Sequence, residues 1–361
     1  MQTYTEYILE LLGVMILCPV PVWELSLKGY IAHSLDVLSR ARFLVSRSLN
    51  CRYLLVWWLV TGQLHLQLFF DSMANSKSTI WLILTILAGS SVAHSWNEQL
   101  SVIINGAFKG PVGYPRGYVP RSYPGFTDNM MTYLLPPLTS GRTRVDDSDL
   151  LCAPHQRTKN QTEGYPQLRT SPGTYIAIKY LENGHVTLPE NQPGKPNGMG
   201  DVYVFGTSEP DSEELLTEVL QWTSDGTGGD RRGRLLTVQS FDDGRCYQIN
   251  DGDISTTRQL HFPNPVPGDP ASVNEQWCET DLKIPKSVTG NSYTIYWVWK
   301  WPTSPGVPGL PDGKDEFYTT CSDLEIVSQV SIGDPTNLLP GQDPQIAAVN
   351  NFKERAEMID M

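Results

Sequence analysis

Six short runs of alternating or β-branched residues, set between stretches dense in Gly, Pro, Asn and Asp, constrain this chain most. The runs cover residues 100–104, 174–180, 201–205, 234–240, 292–300 and 323–330. Successive side chains on a strand point to opposite faces, so such alternation buries one face of a sheet. The gaps at 111–124, 191–200, 225–230 and 302–313 carry the residues that turns require. No segment before the C-terminal tail keeps a helical period of 3.6 residues. Short strands joined by long turn-rich loops predict an all-β protein, a β-sandwich with long loops. The tail, 331–361, is polar, and one short surface helix is expected near 344–358.

Residues 73–93 read MANSKSTIWLILTILAGSSVA. A short basic stretch with Lys77, an apolar core over 80–87 and small residues at Val92-Ala93 are the parts of a secretory signal peptide. Cleavage after Ala93 makes His94 the first residue, with a free α-amine. Residues 1–72 do not read as a domain. The apolar run at 53–70 is interrupted by Gln63, His65 and Gln67, too polar for a persuasive membrane span. The expectation is an over-extended gene model upstream of an initiator at Met73, the alternative a membrane-tethered precursor. The expected organisation is thus a leader over 1–72, a signal peptide over 73–93, one β-domain over 94–330 and the tail. The chain after Ala93 has 268 residues, ample for one large β-domain. Only 6 of 27 basic and 5 of 39 acidic residues precede His94, so the remainder carries a net charge near −13. Such a surface repels phosphate backbones and argues against nucleic-acid binding.

Cysteine usage agrees with secretion. Four cysteines follow the signal segment, Cys152, Cys246, Cys278 and Cys321. An even count in a secreted chain implies disulfides, in any of three connectivities. Their wide spacing speaks against a structural zinc site. Asn160-Gln161-Thr162 is a glycosylation sequon.

Three places carry chemistry. His94 offers an amine and an imidazole on one residue. Glu316 and Tyr318 share one face of a strand, with Cys321 three residues on. His185 follows an Asn183-Gly184 turn, on a loop rather than in a core pattern. His155 and His261 read as surface residues, reserve ligands only. Trp297, Trp299 and Trp301 alternate on one strand, which favours packing over a sugar platform. The glycines at 226–229 lack the strand–helix context of a phosphate loop, and the scattered carboxylates nominate no glycosidase pair.

Together these places resemble the lytic polysaccharide monooxygenases, and more closely a subgroup of fungal secreted proteins of unassigned activity. The runs that carry the likeness include HSWNEQL, GYPRGYVPR, ENGHVTLPENQPGKP, GTGGDRRG, FDDGRCYQIN and YWVWKWPTSPGVPGLPDGKDEFYTTCSDLEI. The resemblance implies an immunoglobulin-like or fibronectin-like sandwich and a copper cofactor. His94 matches the first ligand of that family's histidine brace, His185 the second, and Tyr318 the axial residue. Glu316 matches an acid/base position beside the metal. Tyr114, Tyr118 and Tyr123 become candidate sugar-stacking rings, and the pairing implied is Cys152–Cys321 with Cys246–Cys278. The implied activity is oxidative cleavage of chitin, cellulose or another glucan by a secreted monomer fed by an external electron donor. Gly184-His185-Val186-Thr187 departs from the usual context of the second ligand, and no carbohydrate-binding module follows. A non-catalytic copper-binding or cell-wall protein is the alternative.

Overall fold

The computed structural model describes residues 95–262, 275–333 and 345–357, with two short strands nearer the N-terminus. Those two, β1 (Ile8–Leu9) and β2 (Val14–Met15), pair antiparallel within a unit of residues 1–89. His94 and the signal segment lie outside the described residues.

The second unit runs β3 (Gln99–Ile104), β4 (Ala107–Gly113), β5 (Leu134–Leu135), β6 (Leu168–Thr170), β7 (Tyr175–Tyr180), β8 (Asp201–Thr207), α1 (Leu216–Val219), β9 (Gly233–Ser240), β10 (Tyr247–Gln248), α2 (Asp253–His261), β11 (Glu275–Gln276), β12 (Cys278–Lys283), β13 (Ser292–Lys300), β14 (Phe317–Ile326) and α3 (Phe352–Ala356). One sheet has the order β12-β7-β3-β4; the other runs β5-β14-β13-β8-β9, with β6 parallel to β14. The fold is the all-β sandwich expected.

Strand parity builds the core. Tyr293, Ile295, Trp297 and Trp299 of β13 enter the main core with Leu100, Val102, Ile176, Ile178 and Leu282. Tyr296 and Val298, one residue out of phase, belong to a second core with Phe205, Leu216, Trp222, Cys152 and Cys321. β13 is therefore buried on both faces, which explains its unbroken apolar run. Two disulfides tie the body, Cys152–Cys321 and Cys246–Cys278, in the pairing the resemblance implies.

The tail is more deeply engaged than its polarity suggests. Ala348, Val349 and Phe352 are buried on Ile103, Phe108 and Ala177, the outer face of the four-stranded sheet. Arg355 pairs with Asp281 at 3.0 Å, and Val349 N–H donates to Glu279 Oε1 at 2.6 Å. Its helix, α3, is only five residues long. α2, by contrast, is a nine-residue helix that the sequence pattern does not announce.

Burial pushes six carboxyls above their ordinary range: Glu98, Glu182, Asp201, Glu214, Glu279 and Asp281. A raised folded-state pKa means the native state binds protons that the unfolded chain releases. The contribution to stability is complete below the unfolded value near 4 and is lost as pH rises through the raised values. Asp225, held at about 2 by the Thr223 and Thr227 hydrogen bonds, acts only at lower pH. His155, lowered by burial, opposes weakly below about 6.5. Thermal melts are therefore expected to show a higher midpoint at pH 5 than at pH 7.5; a midpoint that falls on this acidification contradicts the assignment.

Candidate functional site

The site is assembled at the end of β13 by three stretches of chain. The first is the loop after β7. Asn183 and Gly184 take left-handed φ values of 50° and 77°, the turn their residue types favour. A Cβ on Gly184 would also stand 3.1 Å from Gln248 Oε1. The buried Glu182 pins this loop. Its Oε2 accepts from Val186 N–H at 2.7 Å, and its Oε1 from the Thr187 hydroxyl at 2.5 Å and Gln248 N–H at 2.7 Å. His185 N–H donates to the Glu182 carbonyl at 2.9 Å. His185 is thereby drawn into the protein, 3% exposed, with its ring 4.8 Å from Trp301 and 5.6 Å from Trp299. The sequence reading placed it on an exposed loop; the Glu182 anchor accounts for the difference.

The second stretch is the start of β14. Tyr318 is fully buried, its ring 5.1 Å from Trp299 and 6.4 Å from Trp301. Those two indoles stack at 5.0 Å, so His185 and Tyr318 meet one aromatic pair. Glu316 reaches the same place. Its Oε1 accepts from Lys195 Nζ at 2.6 Å and from the Thr303 hydroxyl at 2.8 Å, while Oε2 stands 3.5 Å from the Tyr318 hydroxyl. Lys195 also lies 3.7 Å over the Trp301 ring, and desolvation lowers its pKa. Lys195 is not legible from sequence, since its Pro-Gly-Lys-Pro context reads as a turn.

The third stretch is 95–98. The Ser95 hydroxyl donates to the Leu181 carbonyl at 2.7 Å, and Glu98 N–H to that of Lys179 at 2.9 Å. Asn97 N–H donates to Thr320 Oγ1 at 3.2 Å, and its Nδ2 to Ser322 Oγ at 2.8 Å. This segment bridges the end of β7 to β14.

Other expected site residues fall elsewhere. Tyr114 and Tyr118 are 0% and 2% exposed and pack with Tyr165, centroids 5.0 Å apart. Between them the buried Arg116 pairs with Asp323 at 2.7 Å and draws the loop onto β14. Neither ring is available to a sugar; Tyr123, 54% exposed, is. Trp297, Trp299 and Trp301 are core residues. Asn160 is exposed, His155 half-buried, and His261 exposed at the end of α2. Among the described residues one group, Asp243, Cys246 and Cys278, has metal-like spacing, but its thiols are joined in a disulfide. No helix among these residues is long and apolar enough to cross a membrane.

Glu182→Ala removes several hydrogen bonds to a buried carboxylate. The expected loss is about 2–3 kcal/mol, read by denaturant melts, with His185 amide exchange accelerated. Unchanged exchange at His185 excludes Glu182 as the anchor.

Several solved structures align with the chain. "Crystal structure of HiLPMO9B" is 10% identical, covering 53% of this chain and 63% of that one, TM-score 0.25. The extended catalytic domain of H. jecorina LPMO9A is 11% identical over 71% and 88%, TM-score 0.28. A cellulose-active polysaccharide monooxygenase from M. thermophila is 12% identical over 73% and 95%, TM-score 0.26. The chain thus spans under two thirds of the first of these structures. No curated protein matches. A family model described as a domain of unknown function, DUF7492, matches residues 91–350, most of the chain. The chain belongs to the DUF7492 family.

Proposed function

We propose that this is a secreted copper protein that oxidises polysaccharide, with His94, His185 and Tyr318 around the metal. The observation that carries the reading is the double attachment of residues 95–97. Ser95 is bonded to Leu181, four residues before His185, and Asn97 to Thr320, two residues after Tyr318. Residue 94 is one Cα step, about 3.8 Å, from Ser95. Signal cleavage after Ala93 would free its amine.

The residues suit such an ion. His185 offers an imidazole, and nitrogen donors favour copper among divalent ions. Competing ligands are engaged: Glu316 by Lys195 and Thr303, the cysteines in disulfides. Copper, when bound, would supply one-electron chemistry with an external reductant and oxygen or peroxide. The chain's own part is positional and acid–base. Trp299 and Trp301 set the planes of His185 and Tyr318. Lys195 and Thr303 hold Glu316 through Oε1, and Oε2, 4.0 Å from Lys314 Nζ, would be the atom to give or take a proton beside the Tyr318 hydroxyl. The polysaccharide would be chitin, cellulose or another glucan.

A second reading, a non-catalytic copper-binding or cell-wall protein, is favoured by the burial of His185 and Tyr318 and by the inward turn of Tyr114 and Tyr118. The test is one preparation read three ways: N-terminal sequence, copper stoichiometry, and ascorbate-driven peroxide with product analysis on chitin, cellulose and glucans. A His-Ser-Trp start with copper and oxidised products supports the enzyme. Copper without products supports the second reading, and a different N-terminus overturns both.

A further inference from the structure

A second concave site lies at the other end of β13. There Gly206, Ser208, Glu209, Arg231, Arg234, Ser287 and Tyr293 line a cavity of about 160 Å³ with their neighbours between the β8 end and the 285–288 turn. Tyr293 and Trp301 are eight residues apart along an extended chain, about 27 Å, so this site is separate from the candidate metal centre.

Its charge is unusual for an acidic protein. Three arginines fall within four residues, Arg231, Arg232 and Arg234. Arg232 is neutralised by Glu214 and by Asp230, the latter at 2.6 Å. Among the described residues Arg231 and Arg234 have no carboxylate partner. Arg231 sits at φ 66°, a left-handed conformation that an L residue rarely adopts, and such a conformation persists only where the surrounding structure over-determines it. The Arg234 guanidinium lies beside the Gly226 turn, its Nη2 at ordinary contact distance, 3.6 Å, from the place a Cβ would take there. The Tyr293 hydroxyl, on a residue 4% exposed, lies across Gly206 at 2.6 Å from the place a Cβ would take. Burial raises the pKa of this phenol, so it stays protonated and can donate.

We propose that this cavity binds a carboxylate-bearing sugar, a terminal uronic acid residue of a glycan. Guanidinium groups match carboxylates in fork geometry. Arg231, Arg232 and Arg234 stand against Glu209, Glu214 and Asp230, so the cluster carries no net charge to hold a doubly charged phosphate, and a monoanion taken in the fork of Arg231 or Arg234 suits it better. Ser208, Ser287 and Tyr293 add hydroxyls for a sugar ring. The volume is below the ~300–1,000 Å³ of sites for drug-sized ligands, so a terminal group fits and a continuous chain does not.

The test is calorimetric titration of the purified protein with methyl glucuronide, methyl glucoside and sodium sulfate. The glucuronide should bind saturably and the neutral glucoside at least 10-fold more weakly. Arg234→Gln should lose at least 10-fold in glucuronide affinity, and Tyr293→Phe should weaken it while keeping the buried ring. Arg231→Gly, relieved of its left-handed strain, should melt no lower than wild type yet bind more weakly. No binding of glucuronide by wild type, equal binding of glucoside, or sulfate binding as tightly as glucuronide each overturns the proposal, the last marking an unspecific anion cleft. None of these readouts depends on copper.

Discussion

Replacing Cys152 and Cys321 together by alanine should destabilise the protein by up to about 5 kcal/mol. The bond spans a sequence separation of 169 residues, and the chain-entropy model scales with the logarithm of the loop it closes. Cys246–Cys278 spans only 32 residues, for which the same model gives about 4 kcal/mol. For a domain of this size the larger loss corresponds to a fall of roughly 10–20 °C in midpoint. Both sulfurs of the long bond lie in the second core beneath β13, 2% and 0% exposed, so alanine also forfeits packing there. Thermal melts of the two double variants decide the matter. If removal of the Cys246–Cys278 pair is the more damaging, loop entropy is not what the long bond contributes.

That bond bears on the site as well. Cys321 is three residues from Tyr318 on β14, and Cys321 N–H donates to the buried Gln156 at 3.1 Å. On the other side of the sheet Asn97 holds Thr320 and Ser322. The strand that presents Tyr318 and Glu316 is fastened from both faces. A site made of side chains from three distant stretches needs this kind of rigid support, because small displacements change which atoms meet.

The sequence was most legible where periodicity and burial agree. β13 occupies 292–300, the range its apolar run predicts. It was least legible where tertiary partners reverse the meaning of a residue. β12 reads Cys-Glu-Thr-Asp-Leu-Lys, polar enough to be passed over. Its Glu279 and Asp281 are buried because Arg245 and Arg355 meet them. β4 is obscured by Gly110, at φ 74°, and Pro111, and β14 begins at Phe317, ahead of the 323–330 run expected. In the site, His185, Glu316 and Tyr318 stood out by type and spacing. Glu182 and Lys195 did not, since each acts through a contact formed only in the fold: with the His185 turn, and with Glu316 121 residues away. The inward packing of Tyr114 and Tyr118 was hidden for the same reason, as it depends on Arg116 finding Asp323 207 residues on.

His185→Ala should weaken Cu(II) binding by more than about 100-fold, the upper range seen when only a supporting residue of a metal ligand is lost. The ring packs against Trp299 and Trp301, so alanine also leaves a cavity there. His185→Gln fills more of that space and removes only the imidazole, and should lose a comparable factor while melting nearer wild type. Adding one glycine before His94 makes the complementary change. Both imidazoles remain, but the α-amine moves to another residue. Under the proposed arrangement this extended protein should also bind copper weakly and show an altered paramagnetic resonance spectrum. A site built on side chains alone would be indifferent to the extra glycine, so that pairing of results separates the two. If His185→Ala binds as tightly as wild type with an unchanged spectrum, the metal is elsewhere. The half-buried His155 and the exposed His261 at the end of α2 would then be substituted in turn.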